Sequence, residues 1–353
     1  MKRLLLFFWI VSLLGCSSHD FDIPTPIDKP NQEKPSEEDK DNEEDNDKGE
    51  NPGEDNPGDD NNGEENPGEE PEDPKPNPEE LLQRYPLIPQ GKGTLIADGN
   101  DAGTYDLITS QGYAQEAPDQ SGDHASAPWR HIRQSFNEEI QRWAFEFYIH
   151  VENDDDRGKS DVTDRQRNEL KTGPNSPEYL VAREGETLEM RWKFRLPEGM
   201  KTTKKFCHVH QLKGTDNREG TADVGLPLIT FTPRSSDNKQ LFQVIFVPPS
   251  EQGGGNQYLA QVDLKDFLGE WVSVTERVTF AQNGSYDLTI TRMSDDRELV
   301  RVSDQGRNFW RTGAPSMRPK WGIYRNFGEN GSIKNQLRDE VLLFADFEVI
   351  KLP

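Results

Sequence analysis

Three short segments of the chain place ionisable side chains at every second residue, the spacing that sets them on one face of a β-strand. The first, Asp164 to Lys171, aligns Arg165, Arg167, Glu169 and Lys171. The second, Cys207 to Lys213, puts His208 and His210 together, with Cys207 and Val209 facing the other way. The third, Lys320 to Arg325, gives Lys320 and Tyr324 a common face with Gly322 between them, and points Trp321 and Ile323 toward a core. A purely structural sheet would show Thr, Ser or Lys at such positions. Arginine stays charged and grips a carboxylate with two parallel N–H donors. A neutral imidazole takes a proton near neutral pH, and a phenol can return one. Gathered on one face, Arg, His and Tyr would make a site.

The same residues resemble a known family. Alginate lyases of the jelly-roll type carry R-[ST]-E-L-R, Q-[IV]-H and Y-x-K-x-G-x-Y on three strands of a concave sheet. Here Arg167-Asn168-Glu169-Leu170-Lys171, His208-Val209-His210 and Arg318-Pro319-Lys320-Trp321-Gly322-Ile323-Tyr324 stand in the same order. Glucuronan lyase and heparin lyase I share that architecture and the use of His and Tyr. The resemblance spans most of residues 125 to 350 and implies a lyase that cleaves a uronic-acid polysaccharide by β-elimination, removing the C5 proton and expelling the C4 oxygen. It implies that Arg167 and His208 neutralise the C5 carboxylate, that His210 is the base and that Tyr324 protonates the leaving oxygen. Alternatively Tyr324 does both, if Lys320 and Arg167 lower its pKa. The sequence departs from the pattern at Asn168, Lys171, His208 and Arg318, which moves the expected substrate from alginate toward glucuronate or iduronate polymers.

Around these four, Arg165, Glu169, Lys171, Lys320 and Arg191 are candidates to bind substrate from one sheet. Arg165 reads equally well as a partner of Glu169, and Glu169 as an orienting partner of the arginines. Gln211 and Lys213 fall opposite His210 unless the strand bulges. His124, His131 and His150 read as structural or exposed. No cofactor is expected, and a structural calcium ion is the one metal suggested, by the carboxylates from Asp154 to Asp164, which miss the EF-hand spacing. Two other classes of function compete. A glycoside hydrolase on the same sandwich needs paired carboxylates, and no strand carries E-x-D-x-x-E. A non-catalytic surface glycan-binding lipoprotein needs aromatic platforms, but no His beside a Tyr.

The elements that must position these residues read as strands. Trp143, Phe145, Phe147, Ile149 and Val151 alternate with polar or small residues, as do Leu188, Met190, Trp192, Phe194 and Leu196. The runs 241–247, 271–280, 286–292 and 341–350 continue the pattern. Helical signals are confined to Asn77–Leu82 and Leu264–Gly269. Many half-buried strands with hardly a helix predict an all-β fold, a two-sheet antiparallel jelly-roll sandwich with a concave polar face, over residues 86–353.

The rest of the chain is of another kind. Of the formal charge of −24, residues 17–80 contribute −20, with 25 acids against 5 lysines, and the C-terminal part only −6. An anionic polysaccharide partner is compatible with that near-neutral part, whereas a nucleic acid is not expected, since no basic run or aromatic-basic stripe appears. Residues 16–85 read as a disordered acidic linker containing four pentads from Asn51 to Glu70, too poor in apolar residues to form a core. Residues 1–15 read as a signal peptide: Lys2 and Arg3, then an apolar run too short to span a bilayer, ending in Leu13-Leu14-Gly15-Cys16. That ending resembles a bacterial lipobox, which implies lipidation of Cys16 and anchoring to the outer membrane; Asp20 and Asp22 resemble the export signal of surface lipoproteins of Bacteroidetes type. With Cys16 lipidated, Cys207 is left unpaired, so no intramolecular disulfide is expected and the fold must rest on packing alone; a monomer is expected.

Overall fold

The computed structural model describes residues 76–120, 130–156, 162–173, 175–236 and 239–353. The signal segment, Cys16, the acidic pentads, His124 and the middle of the acidic loop (157–161) lie outside the described residues.

Described structure begins with α1 (Pro78–Arg84). The Asn77 side-chain oxygen accepts the Glu80 N–H at 3.0 Å, and Pro78 fills the first helical position, where no N–H is needed. The helix is part of the packed body. Leu81 is buried in a cluster with Ile140, Ala144, Trp271, Met293 and Ala345. Arg84 and Tyr85 both donate to Asp296.

The strands in chain order are β1 (Thr94–Leu95), β2 (Ala114–Glu116), β3 (Ile132–Asn137), β4 (Arg142–Ile149), β5 (Arg165–Lys171), β6 (Thr187–Arg195), β7 (Cys207–Gly214), β8 (Ile229–Ser236), β9 (Lys239–Phe246), β10 (Gln257–Asp263), β11 (Trp271–Thr279), β12 (Gly284–Arg292), β13 (Glu298–Arg307), β14 (Met317–Asn326) and β15 (Glu340–Leu352). The one other α-helix among the described residues, α2 (Thr104–Ser110), buries Ile108. The strands form two antiparallel sheets. One runs β13-β12-β11-β6-β15-β4-β3, with β1 beside β15; the other runs β10-β9-β8-β7-β14-β5-β2. The predicted all-β sandwich is therefore present, and its three chemistry-bearing strands, β5, β14 and β7, are immediate neighbours.

Large aromatic rings fill the space between the sheets. Trp192 of β6 meets Trp321 of β14 edge-on with centroids 5.8 Å apart, Trp321 meets Phe347 of β15 at 5.1 Å, and Phe194 stacks near Phe242 and Phe267. Offset and edge-on contacts of this kind add to the gain from burying the rings. Cys207 is a free, buried thiol that burial pushes up to about 12. The expected alternation fails at the start of β4, where Ala144 and Phe145 are both buried. Trp143 instead turns outward against Phe136, with ring centroids 5.6 Å apart.

Candidate functional site

Strand register builds the site on the outer face of the seven-stranded sheet. Tyr324 of β14 lies directly opposite Arg167 of β5 on one side and His208 of β7 on the other. Directly opposed residues of antiparallel strands share a face, so Arg167, Tyr324 and His208 form one row across three strands. Lys320 makes the next row with Lys171 and Gln211. Gly322 separates the rows. A Cβ there would stand 2.2 Å from the Asn168 carbonyl oxygen, and its φ of +136° suits glycine alone.

The β14–β7 register slips by one residue between Trp321 and Tyr324, so that Trp321 pairs with His210 while Tyr324 pairs with His208. This irregularity corrects the expectation that the two histidines share a face. His210 faces the interior, 1% exposed, among Trp192, Phe231 and Trp321 at centroid distances of 4.7, 4.8 and 5.6 Å. Its Nε2 lies 2.9 Å from Glu276 of the opposite sheet, and Glu276 also accepts the Tyr286 hydroxyl at 2.8 Å. His210 and Tyr324 thus lie on opposite faces, and the base expected at His210 is not at the site. The same slip brings Gln211 to the outer face, where it donates to Glu169.

His208 is the imidazole beside Tyr324, with ring centroids 6.1 Å apart and Phe206 packed against both at 4.9 and 5.0 Å. Its Nδ1 lies 2.8 Å from the Thr232 hydroxyl, which itself donates to Thr230. Thr232 therefore accepts from Nδ1–H, and the lone pair of His208 sits on Nε2. Burial pushes the His208 pKa down to about 3; Glu169 opposes this and Arg234 adds to it. The ring is neutral at any ordinary working pH. Tyr324 is half-buried: its oxygen accepts from Arg165 at 3.0 Å, and the Arg167 guanidinium lies 3.6 Å from its ring centroid. Burial still wins and raises the phenol above its usual value, although both arginines favour the phenolate. The lowering expected from Lys320 and Arg167 is thus overturned.

The expected carboxylate grip of Arg167 is already used within the protein. Its Nε and Nη2 hold Asp156 at 2.7 and 3.2 Å, and its Nη1 reaches Glu169 at 2.5 Å. Lys320 is buried between Glu116 at 2.7 Å and Glu169 at 2.5 Å, and Lys171 holds Glu116 at 2.6 Å. Burial raises the Glu169 pKa, but Lys320 and Arg167 overcome it and hold the carboxylate below its usual range. Glu169 is the shared partner of Arg167, Lys320 and Gln211. Arg165 pairs with its neighbour Asp164 rather than with Glu169. Arg191 is not at the site: β6 belongs to the other sheet, and Arg191 pairs there with Glu189 and Glu348.

Sequence reasoning missed Glu116, Asp156, Phe206, Thr232 and Arg234. Glu116 sits on a three-residue strand with no pattern to read, and Asp156 looked like one more acid in a loop. Thr230, Thr232 and Arg234 do carry a signal, since they alternate with Ile229, Phe231 and Pro233 along β8. Arg234 continues the outer face two residues beyond Thr232. Among the described residues it makes no ion pair, and its buried Nε has no partner.

No family model and no curated protein matches the chain. Solved structures that it resembles include endo-β-1,4-glucuronan lyase from Trichoderma reesei, at 13% identity and a TM-score of 0.42, covering 67% of this chain and 94% of that one. Alginate lyase A1-II′ of polysaccharide lyase family 7 gives 12% identity and a TM-score of 0.44, covering 70% and 97%. Alginate lyase PA1167 from Pseudomonas aeruginosa gives 12% and 0.41, covering 68% and 98%.

Proposed function

We propose that the chain is a polysaccharide lyase that cleaves a uronate polymer by β-elimination on the outer face of its seven-stranded sheet. The observation that carries this reading is the row Arg167–Tyr324–His208, in which a neutral imidazole with its Nε2 lone pair available stands beside a phenol supported by two arginines. The order of the three motifs, which resembles that of jelly-roll alginate lyases, supports it further.

In this mechanism the substrate carboxylate is met by Arg234, which makes no ion pair among the described residues, rather than by Arg167. A cation there stabilises the charge that builds on the carboxylate as C5 loses its proton. His208 Nε2 takes that proton, the C4–O bond breaks, and a C4=C5 double bond forms. Tyr324 delivers its proton to the leaving oxygen, and Arg165 and Arg167 stabilise the phenolate that remains. Arg167, Lys320, Glu169 and Glu116 form the charged platform under the reacting groups. The departures at His208 and Arg318 favour glucuronate or iduronate polymers over alginate. At the cell, the mature chain would be anchored to the outer membrane through lipidated Cys16 and held out on its acidic linker.

The test is a panel of glucuronan, alginate, glucuronate-bearing plant or algal polymers and glycosaminoglycans, followed by the ultraviolet absorbance of unsaturated uronate ends. At least one polymer should give a rising signal. Calorimetric binding to the panel without any unsaturated product would replace the lyase reading by glycan capture.

A further inference from the structure

Beneath β5, on the side away from Tyr324, two histidines converge on one aspartate. His131 Nε2 lies 3.0 Å from Asp154 Oδ1, and His150 Nδ1 lies 3.2 Å from Asp154 Oδ2. The ligand-type atoms of all three residues fall within 4.8 Å of one another. His131 and Asp154 are fully buried, and His150 is about one quarter exposed. The two rings meet edge to face with centroids 5.3 Å apart.

We infer that His131, His150 and Asp154 form a binding site for a zinc-type divalent metal ion. Two imidazole nitrogens and one carboxylate, with a fourth position left to water, make a donor set for zinc rather than calcium, which takes six to eight oxygens. Tetrahedral bonds of about 2.0–2.1 Å put neighbouring donor atoms roughly 3.3 Å apart; the two imidazole-to-carboxylate separations, 3.0 and 3.2 Å, are close to that, and all three donors lie within 4.8 Å of one another. The surroundings are those of a metal site as well. Asp119 lies 3.1 Å from His131 Nδ1 and is itself held by the Tyr105 hydroxyl at 2.7 Å. A carboxylate on the far nitrogen of a ligand histidine fixes its tautomer and turns the other nitrogen to the metal.

The backbone carrying the donors is fastened in advance. Gln166, fully buried on the inner face of β5, donates to the carbonyls of His150, Val151 and Asp154. Asn168 donates to those of His131 and Tyr148. Asn168 is one of the departures from the alginate-lyase pattern, and this is what it does here. The same loop supplies the Asp155 carbonyl to the Arg167 N–H and the Asp156 carboxylate to its guanidinium. A metal ion at the three donors would thus steady the loop that positions Arg167 under Tyr324.

The test uses tag-free purified chain stripped with a chelator. Zinc should bind at one equivalent per chain and raise Tm by about 5–10 °C at saturation. Cobalt(II) should give the visible bands of a four-coordinate site, and calcium should produce neither change. His150→Gln, at a partly exposed position that leaves the fold intact, should abolish the zinc-induced rise and the cobalt bands. A stripped protein whose Tm ignores zinc would overturn the inference, as would an undiminished response in His150→Gln or an equal response to calcium. None of these readouts depends on lyase activity, so the metal site and the reaction can fail separately.

Discussion

His208 and His210 stand two residues apart on one strand in opposite chemical worlds. His208 faces outward, its Nδ1 committed to Thr232 and its Nε2 available beside Tyr324. His210 faces inward, its Nε2 turned to Glu276 between the sheets and its Nδ1 without a partner among the described residues. The first region is an open set of polar groups left incomplete, whereas the second is a polar link sealed into an aromatic core. A polar group in the interior is kept because removing one partner strands the other. One on the surface can be kept for what it does to a ligand. Residue type alone therefore does not separate a reacting histidine from a structural one; the register slip at Gly322 does.

That contrast can be broken experimentally, beginning with its largest effect. Tyr324→Phe removes only a hydroxyl, and should lower the rate of unsaturated-product formation by about 10²- to 10⁴-fold with the melting curve unchanged. On the inner side, His210→Ala leaves the Glu276 carboxylate buried without its imidazole, and should cost about 3–5 kcal/mol, seen as a Tm drop on the order of 5–15 °C. Arg234→Ala should reduce kcat/KM by about 10- to 100-fold, the range for a lost hydrogen bond to a charged group, with Tm held.

Proton linkage sharpens the comparison further. His208 titrates at about 3 when folded and near 6.5 when unfolded. Between those values the unfolded chain binds the extra proton, so this residue weakens the fold as pH falls through that window. His208→Gln should therefore flatten the acid-side fall of Tm relative to the parent protein. The parent's kcat/KM should show no ionisation near pH 6.5, because the free enzyme's base is already neutral. The smallest effect is expected from deleting residues 17–75, which should leave Tm within about a degree, as a segment so poor in apolar groups has little to bury.

Much of the architecture was legible from alternation. The run around Trp192 buries the residues its period predicts, and the Asn77-Pro78 start announced α1; along β15 the period breaks at Asp346, so that residues 344–347 are buried in succession while Val341 is only half-buried. The order of β5, β7 and β14 motifs likewise anticipated a shared sheet. What alternation misplaced were residues next to local breaks in period. The slip opposite Gly322 turned His210 inward, and the irregular entry to β4 turned Trp143 outward. Arg191 was misplaced for a different reason: a strand's pattern says which side is buried, but not which sheet it joins. Arg167 was placed correctly and given the wrong partner, because Asp156 and Glu116 reach it from a loop and an edge strand that carry no periodic signal.

The most direct measurement compares the same substitution at the two histidines. His208→Gln and His210→Gln are assayed for unsaturated uronate ends on a polymer the parent protein cleaves, with rates normalised to folded protein. The outward-facing site predicts that His208→Gln loses on the order of 10²-fold or more at nearly unchanged Tm, while His210→Gln keeps its rate within about threefold and loses several degrees of Tm. The reverse pattern, with His210→Gln inactive but fully folded and His208→Gln active, would place the base on the other side of the sheet and contradict the account.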